Sequence, residues 1–219
     1  MKKFLKENSL SIALFGLFFI FLIGLSITGY LHENEQLSDH RQPSISYSSY
    51  VVSGPFMEAV FENWESEFLQ MGALVILTIW LVQKGSADSK KLQGDNEVDT
   101  SSRYAIIAAA TWRKRAMGIK KALYANSLSI ALFALFFVSF LLHAWSGVTT
   151  ANQEALQHGQ EQLGIWQYLV SAQFWFESFQ NWQSEFLSVG VLIVLSIYLR
   201  QRGSPESKAI GEPNGKTGS

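Results

Sequence analysis

The sequence holds no cysteine and only four prolines in 219 residues. Without cysteine there can be no disulfide, no thiolate zinc site and no cysteine nucleophile. Charge is also scarce: 16% of residues are Asp, Glu, Lys or Arg, against 48% hydrophobic, and the mean hydropathy is +0.11. Such a chain is too apolar for disorder and poor in charge for a soluble domain. No catalytic signature is present. No basic patch interleaved with aromatics and no nucleic-acid fold motif is present either, which argues against a nucleic-acid partner. What the chain has instead is aromatic residues, 14% of the total, which suit membrane interfaces as well as cores.

It also has a repeat. Shifting the chain against itself aligns Lys2–Lys90 with Lys120–Lys208 without a gap, with about 39 of roughly 89 positions identical. Three blocks are nearly verbatim. NSLSIALF occurs at Asn8–Phe15 and Asn126–Phe133, and NWESEFL at Asn63–Leu69 matches NWQSEFL at Asn181–Leu187. QKGSADSK at Gln83–Lys90 matches QRGSPESK at Gln201–Lys208. Each copy carries two apolar runs. Leu10–Thr28 has no charged residue, and Leu128–Trp145 carries only His143 near its end. About 20 residues of helix at ~1.5 Å each cross a hydrocarbon core. The second runs, Phe68–Val82 and Phe186–Leu199, reach that length by extending upstream through the Asn-Trp blocks. A cleaved signal peptide is a poor reading of the first run, because the same segment recurs in mid-chain.

Lysine and arginine are nearly missing from the two connections between paired runs, where Arg41 stands alone. The other basic residues lie at the N-terminus, in the stretch Lys84–Lys121 or after Leu199. By the positive-inside rule both termini and the central linker are cytoplasmic. The expectation is an all-α integral membrane protein with four transmembrane helices, built as two tandem hairpins of the same orientation with short interfacial outer helices. Residues 2–90 form the first hairpin repeat, 91–119 a cytoplasmic linker and basic amphipathic helix, 120–208 the second repeat, and 209–219 a disordered tail. Gly85–Ser102 reads as a flexible linker, and Arg103–Tyr124 as a helix suited to an anionic inner leaflet. Interfacial helices are expected in Ile45–Pro55 and Leu163–Gln173, with a break near Ser53-Gly54-Pro55 and a long helix from about Phe56 to Gln83.

The candidate polar site is Asn63 and Glu67 with their counterparts Asn181 and Glu185. Each pair is four residues apart and so shares a helix face. Both copies keep Glu67/Glu185, whereas Glu62 and Glu65 become Gln180 and Gln183. Facing carboxylates at equal depth would hold a cation or share a proton. The structural reading is that they snorkel to the headgroups while the amides bond across helices. His40 and His158 also match and are the outer-face candidates, but their spacing fits no zinc pattern, so no metal or cofactor is expected. Ser9, Ala13, Gly72 and Gly190 read as small residues for close helix packing.

The blocks ENSLSIALFGLFFIFLIG, FENWESEFLQM and QKGSADSK resemble a family of small bacterial membrane proteins known only as a domain of unknown function. The resemblance covers both repeats and fails only in the linker and tail. It implies a bacterial multi-pass protein of the inner membrane with no established activity, and it brings no catalytic residues. The functional expectation is therefore a structural or interaction role, with the bilayer and a homo-oligomer or membrane-protein partner, rather than an enzyme. The alternative is cation or proton transport or sensing through Glu67 and Glu185.

Overall fold

The computed structural model describes residues 2–92 and 119–218. Among these residues all regular structure is helical. In chain order the helices are α1 (Lys2–Glu7), α2 (Ser9–Asp39), α3 (Tyr47–Tyr50), α4 (Gly54–Trp80), α5 (Ile119–Ala125), α6 (Ser127–Gln157), α7 (Ile165–Leu169) and α8 (Ala172–Tyr198). Most of the expected basic helix at Arg103–Tyr124 lies outside the described residues; its end is α5. Two compact units divide the chain: Met1–Phe61 with Leu142–Leu169, and Glu62–Leu141 with Val170–Ser219. Among the described residues two helices, α2 and α6, are long and apolar enough to cross a membrane.

The NSLSIALF block marks a joint. At Asn8 the ladder between α1 and α2 continues through Asn8 N–H to Phe4 O and Ile12 N–H to Asn8 O, both 3.0 Å. The Asn8 amide itself donates to Phe4 O at 2.9 Å, and the Asn126 amide donates to Ala122 O at 2.8 Å between α5 and α6. Side chains that bond the carbonyl four residues back relax a helix locally. The joint is therefore written by the asparagine in both copies.

In the first unit, α2 and α6 run well past their apolar cores and end alike. After His40 the chain enters the left-handed region at Arg41 (φ 57), and after His158 it does so at Gly159 (φ 66). Gln42 N–H then reaches Leu37 O, and Gln160 N–H reaches Ala155 O, each at 2.7 Å. This is the Schellman pattern of bonds, which satisfies the last carbonyls of a helix. The returning chain is bracketed by an asparagine side chain. Asn34 Oδ1 accepts from Ile45 N–H at 2.8 Å while its amide donates to Ile45 O at 3.3 Å. Asn152 does the same to Leu163, at 2.6 and 2.9 Å.

Short helices, α3 and α7, one turn each, stand in the two segments where interfacial helices are expected. Each sets a buried tyrosine against a glycine of the preceding long helix. A Cβ on Gly29 would overlap the Tyr50 hydroxyl, and one on Gly147 would overlap the Tyr168 hydroxyl. Burial and then the charge of Glu33 push the Tyr50 phenol above its ordinary range, so it stays neutral. Tyr47 adds a hydroxyl contact to Ser26 at 2.7 Å. Further into the same unit Gly54 approaches α6, where an added Cβ would lie 2.9 Å from Thr150 Oγ1. The expected break before α4 is the turn at Val51–Ser53, and Pro55 sits in the first turn, where its missing N–H costs nothing.

In the second unit the Gly72 position abuts the Phe133 ring at 3.3 Å, whereas Gly190 faces open space. The two QxGSxxSK blocks fold alike. Gln83 N–H donates to Ser89 Oγ at 2.9 Å and Asp88 N–H to Ser86 Oγ at 3.2 Å. Gln201 to Ser207 and Glu206 to Ser204 repeat these bonds at 2.8 and 3.2 Å. Gly85 and Gly203 supply the positive φ, 89° and 83°. The Gly-, Pro- and Ser-rich tail runs over the first of these loops. Thr217 Oγ1 accepts from Gly85 N–H at 2.8 Å, and Gly218 N–H donates to Ser86 O at 3.0 Å. Arg200 holds Glu212 O and Asn214 Oδ1, at 3.0 and 2.9 Å. A tail this poor in apolar residues is held by hydrogen bonds rather than by burial.

Two predictions follow from repeated features that differ in one respect. Gly29→Ala and Gly147→Ala each force the tyrosine off its seat and should cost about 1–3 kcal/mol, the usual range for overpacking. The check is thermal unfolding of the protein in detergent; unchanged melting in both variants would show that the seats do not hold the one-turn helices. Gly85→Ala meets both the positive φ and Asn214 O at 2.6 Å, whereas Gly203→Ala meets only the φ. Gly85→Ala should therefore speed tryptic cleavage at Lys216, and Gly203→Ala should not. Burial and then the nearby Glu206 carboxylate push Asp88 above its ordinary range. A carboxyl raised in the folded state stabilises it most at low pH, and that increment is lost as pH rises through the raised value. Asp88→Asn should slow the same cleavage at neutral pH, by a small factor because Asp88 is exposed.

Candidate functional site

The Asn-Trp/Glu blocks lie on α4 and α8, in the second unit. A helix places Glu62, Glu65 and Ser66 on one side and Asn63 and Glu67 on another. The first side is the one that is used. Glu65 is 0% exposed and accepts the Trp182 indole N–H at 3.0 Å. The Asn181 amide donates to Glu62 Oε1 and to Glu177 O. Trp182 is further fixed by edge-on rings of Phe136, Trp175 and Phe179, with centroids 6.2, 6.1 and 5.6 Å away. A buried carboxylate is tolerable when donors meet its oxygens, and an indole N–H is such a donor.

Asn63 and Glu67 are exposed, and Asn181 and Glu185 are half-buried. The carboxylates of Glu67 and Glu185 are near enough to feel each other's charge. Asn181 is thus engaged by Glu62, an acid that the second copy lacks. The pairing explains the difference between copies. Each contact joins an acceptor from copy one to a donor from copy two, so only one copy needs the carboxylate. Retention in both copies points to residues with the same job twice, and Glu62 and Glu65 have a job done once.

The first unit holds a cluster that the sequence did not single out. His143 is 0% exposed, and one of its ring nitrogens and a Glu58 carboxylate oxygen lie within 4.8 Å of each other. Tyr168, also 0% exposed, donates its hydroxyl to Glu58 Oε1 at 3.2 Å. Gly147, one turn after His143, leaves the room: its Cβ would stand 2.8 Å from Glu58 Oε1. The available signal was asymmetry, since the counterparts of Glu58 and His143 are Phe176 and Leu25.

His40 and His158 line one cavity of about 410 Å³ in the first unit, together with Glu33, Gln36, Glu154 and Gln157. Their recurrence has a structural cause, because each stands just before the left-handed residue that ends its helix. His40 Nδ1 bonds Gln36 O at 2.8 Å, which satisfies a carbonyl of that last turn.

Glu65 and Glu67 offer a direct contrast. Glu65→Leu strands the Trp182 N–H and should lower stability by about 1–3 kcal/mol. Glu65→Gln keeps an acceptor and should recover most of it. Glu67→Gln should be nearly silent. Melting of the three variants in detergent checks the order; a larger loss at Glu67 would place the important carboxylate where the repeat pattern alone puts it.

Neither a curated protein nor a solved structure matches the chain. One family does, and it matches over residues 1–219, the full length. The chain belongs to the family described as Domain of unknown function (DUF6766).

Proposed function

We propose that the protein is a four-span integral membrane protein of the bacterial inner membrane, with both termini cytoplasmic and a structural or interaction role. The observation that carries this reading is the bareness of α2. Its most apolar 18-residue window has a mean hydropathy of 2.6 and is only 6% buried. Leu10, Phe15, Ile20 and Phe21 are 73, 65, 63 and 68% exposed. A soluble protein does not leave an all-round apolar helix in water; lipid or a partner must cover it. The corresponding window of α6 has hydropathy 2.1 and is 22% buried.

The second helix of each hairpin supports the four-span reading by length. At ~1.5 Å per residue, α4 and α8, 27 residues each, extend about 40 Å. Their acidic halves are the ones tied by Glu62–Asn181 and Glu65–Trp182, and their later halves are apolar. The basic residues then fall on one side, and the acid-rich turns with Arg41 fall on the other. The exposed apolar faces suit lipid and leave room for a second copy or another membrane protein. Cation or proton passage through Glu67 and Glu185 draws no support, since Glu67 and Asn63 are exposed and the apolar halves of α4 and α8 offer few polar groups.

A chain without cysteine is suited to single-cysteine labelling. In intact cells with a permeable outer membrane, Glu154→Cys should react with a membrane-impermeant maleimide. Ser89→Cys should react only after the inner membrane is opened. The opposite pattern, or equal reaction of both, would overturn the four-span topology.

A further inference from the structure

The two copies provide an internal control for what the hairpin needs. The glycine–tyrosine seat, the asparagine bracket and the Schellman turn each occur twice. The cluster of Glu58, His143 and Tyr168 occurs once. Its tyrosine belongs to the scaffold, because Tyr50 is seated in the same way. Its glutamate and histidine do not, because the matching positions of the other copy hold Phe176 and Leu25, which are 69 and 40% exposed. Burying an imidazole at 0% exposure beside a carboxylate is costly, and apolar residues of similar volume would be cheaper. No buried polar pair stands at the matching positions of the other copy, so the repeated features alone do not call for one.

From this we infer that Glu58 and His143 are ligands of a divalent transition-metal ion, with Tyr168 as the residue that orients Glu58. The ligating atoms already lie within 4.8 Å of each other. The phenol fixes one carboxylate oxygen at 3.2 Å, the arrangement by which an outer partner aims a ligand at a metal. Gly147 is the residue that permits it, since any side chain there would enter the space of both Tyr168 and Glu58. An imidazole with a carboxylate, in a chain with no thiolate, suits zinc, iron(II) or manganese rather than magnesium. Water or further side chains complete the coordination. The inference is independent of the membrane topology proposed above.

The test is a calorimetric titration of the full chain in detergent, stripped with chelator and supplied with Zn²⁺ alone, with Mg²⁺ as the control. About one Zn²⁺ per chain is expected, with no heat from Mg²⁺. His143→Gln and Glu58→Gln should abolish the binding, and Tyr168→Phe should weaken it by about 10–100-fold. His40→Ala with His158→Ala should leave it unchanged. No binding to wild type, unchanged binding in both ligand variants, or loss in the His40/His158 variant would overturn the assignment. If a ligand variant elutes aggregated from a sizing column, X-ray absorption of the zinc-loaded wild type decides instead. An imidazole nitrogen near ~2.0–2.1 Å with an oxygen shell supports the site, and a shell without imidazole rejects it.

Discussion

The chain reversals of the first unit depend on a tyrosine hydroxyl occupying the space that a side chain would take. Gly29 and Gly147 are bare so that Tyr50 and Tyr168 can lie against the long helices. The one-turn helices that carry those tyrosines are too short to be stable alone. They hold because the phenols are buried and because Asn34 and Asn152 clamp the strand of chain just before them. The seat thus sets how each long helix turns back, and so where α4 begins. A larger residue at either glycine would displace the turn, the bracket and the start of the next helix together.

Polar groups in this chain are placed under the same rule. Where a carboxylate is buried or half-buried, a donor with little freedom meets it. Glu65 takes the indole of Trp182, Glu62 takes the amide of Asn181, and Glu58 takes the phenol of Tyr168. Each donor belongs to copy two and each acceptor to copy one. The two sequence copies are alike, but the contacts between them are unequal, because a hydrogen bond needs unlike partners. That inequality is also what allows one copy to carry a histidine that the other lacks.

The helices, the short one-turn helices among them, and the repeat were legible in the sequence, because each is a local matter of apolar run length, turn residues or identity at one shift. The long helices run further than their apolar runs, since Schellman turns and asparagine brackets stabilise their ends and periodicity does not report on either. Of the polar residues, Asn181 was singled out because it recurs as Asn63, although its bond to Glu62 is made once. Glu65 and Glu62 were not, because recurrence selects what both copies need and passes over a contact made once. His40 and His158 recur for the opposite reason: both cap helices, and they meet at one cavity only because the ends they cap line it. Nothing in spacing alone distinguishes a capping histidine from a ligating one.

The central claim is that the apolar faces of α2 and its counterpart are covered by lipid. It is tested most directly by nitroxide side chains placed singly from Leu10 to Thr28 in the reconstituted protein. Their collision rates are then measured with oxygen, which concentrates in the bilayer, and with a water-soluble nickel chelate. The account predicts high oxygen and low nickel access on every face, with oxygen access greatest in mid-helix. A helix face with high nickel access throughout, or one shielded from both reagents along its length, would contradict it.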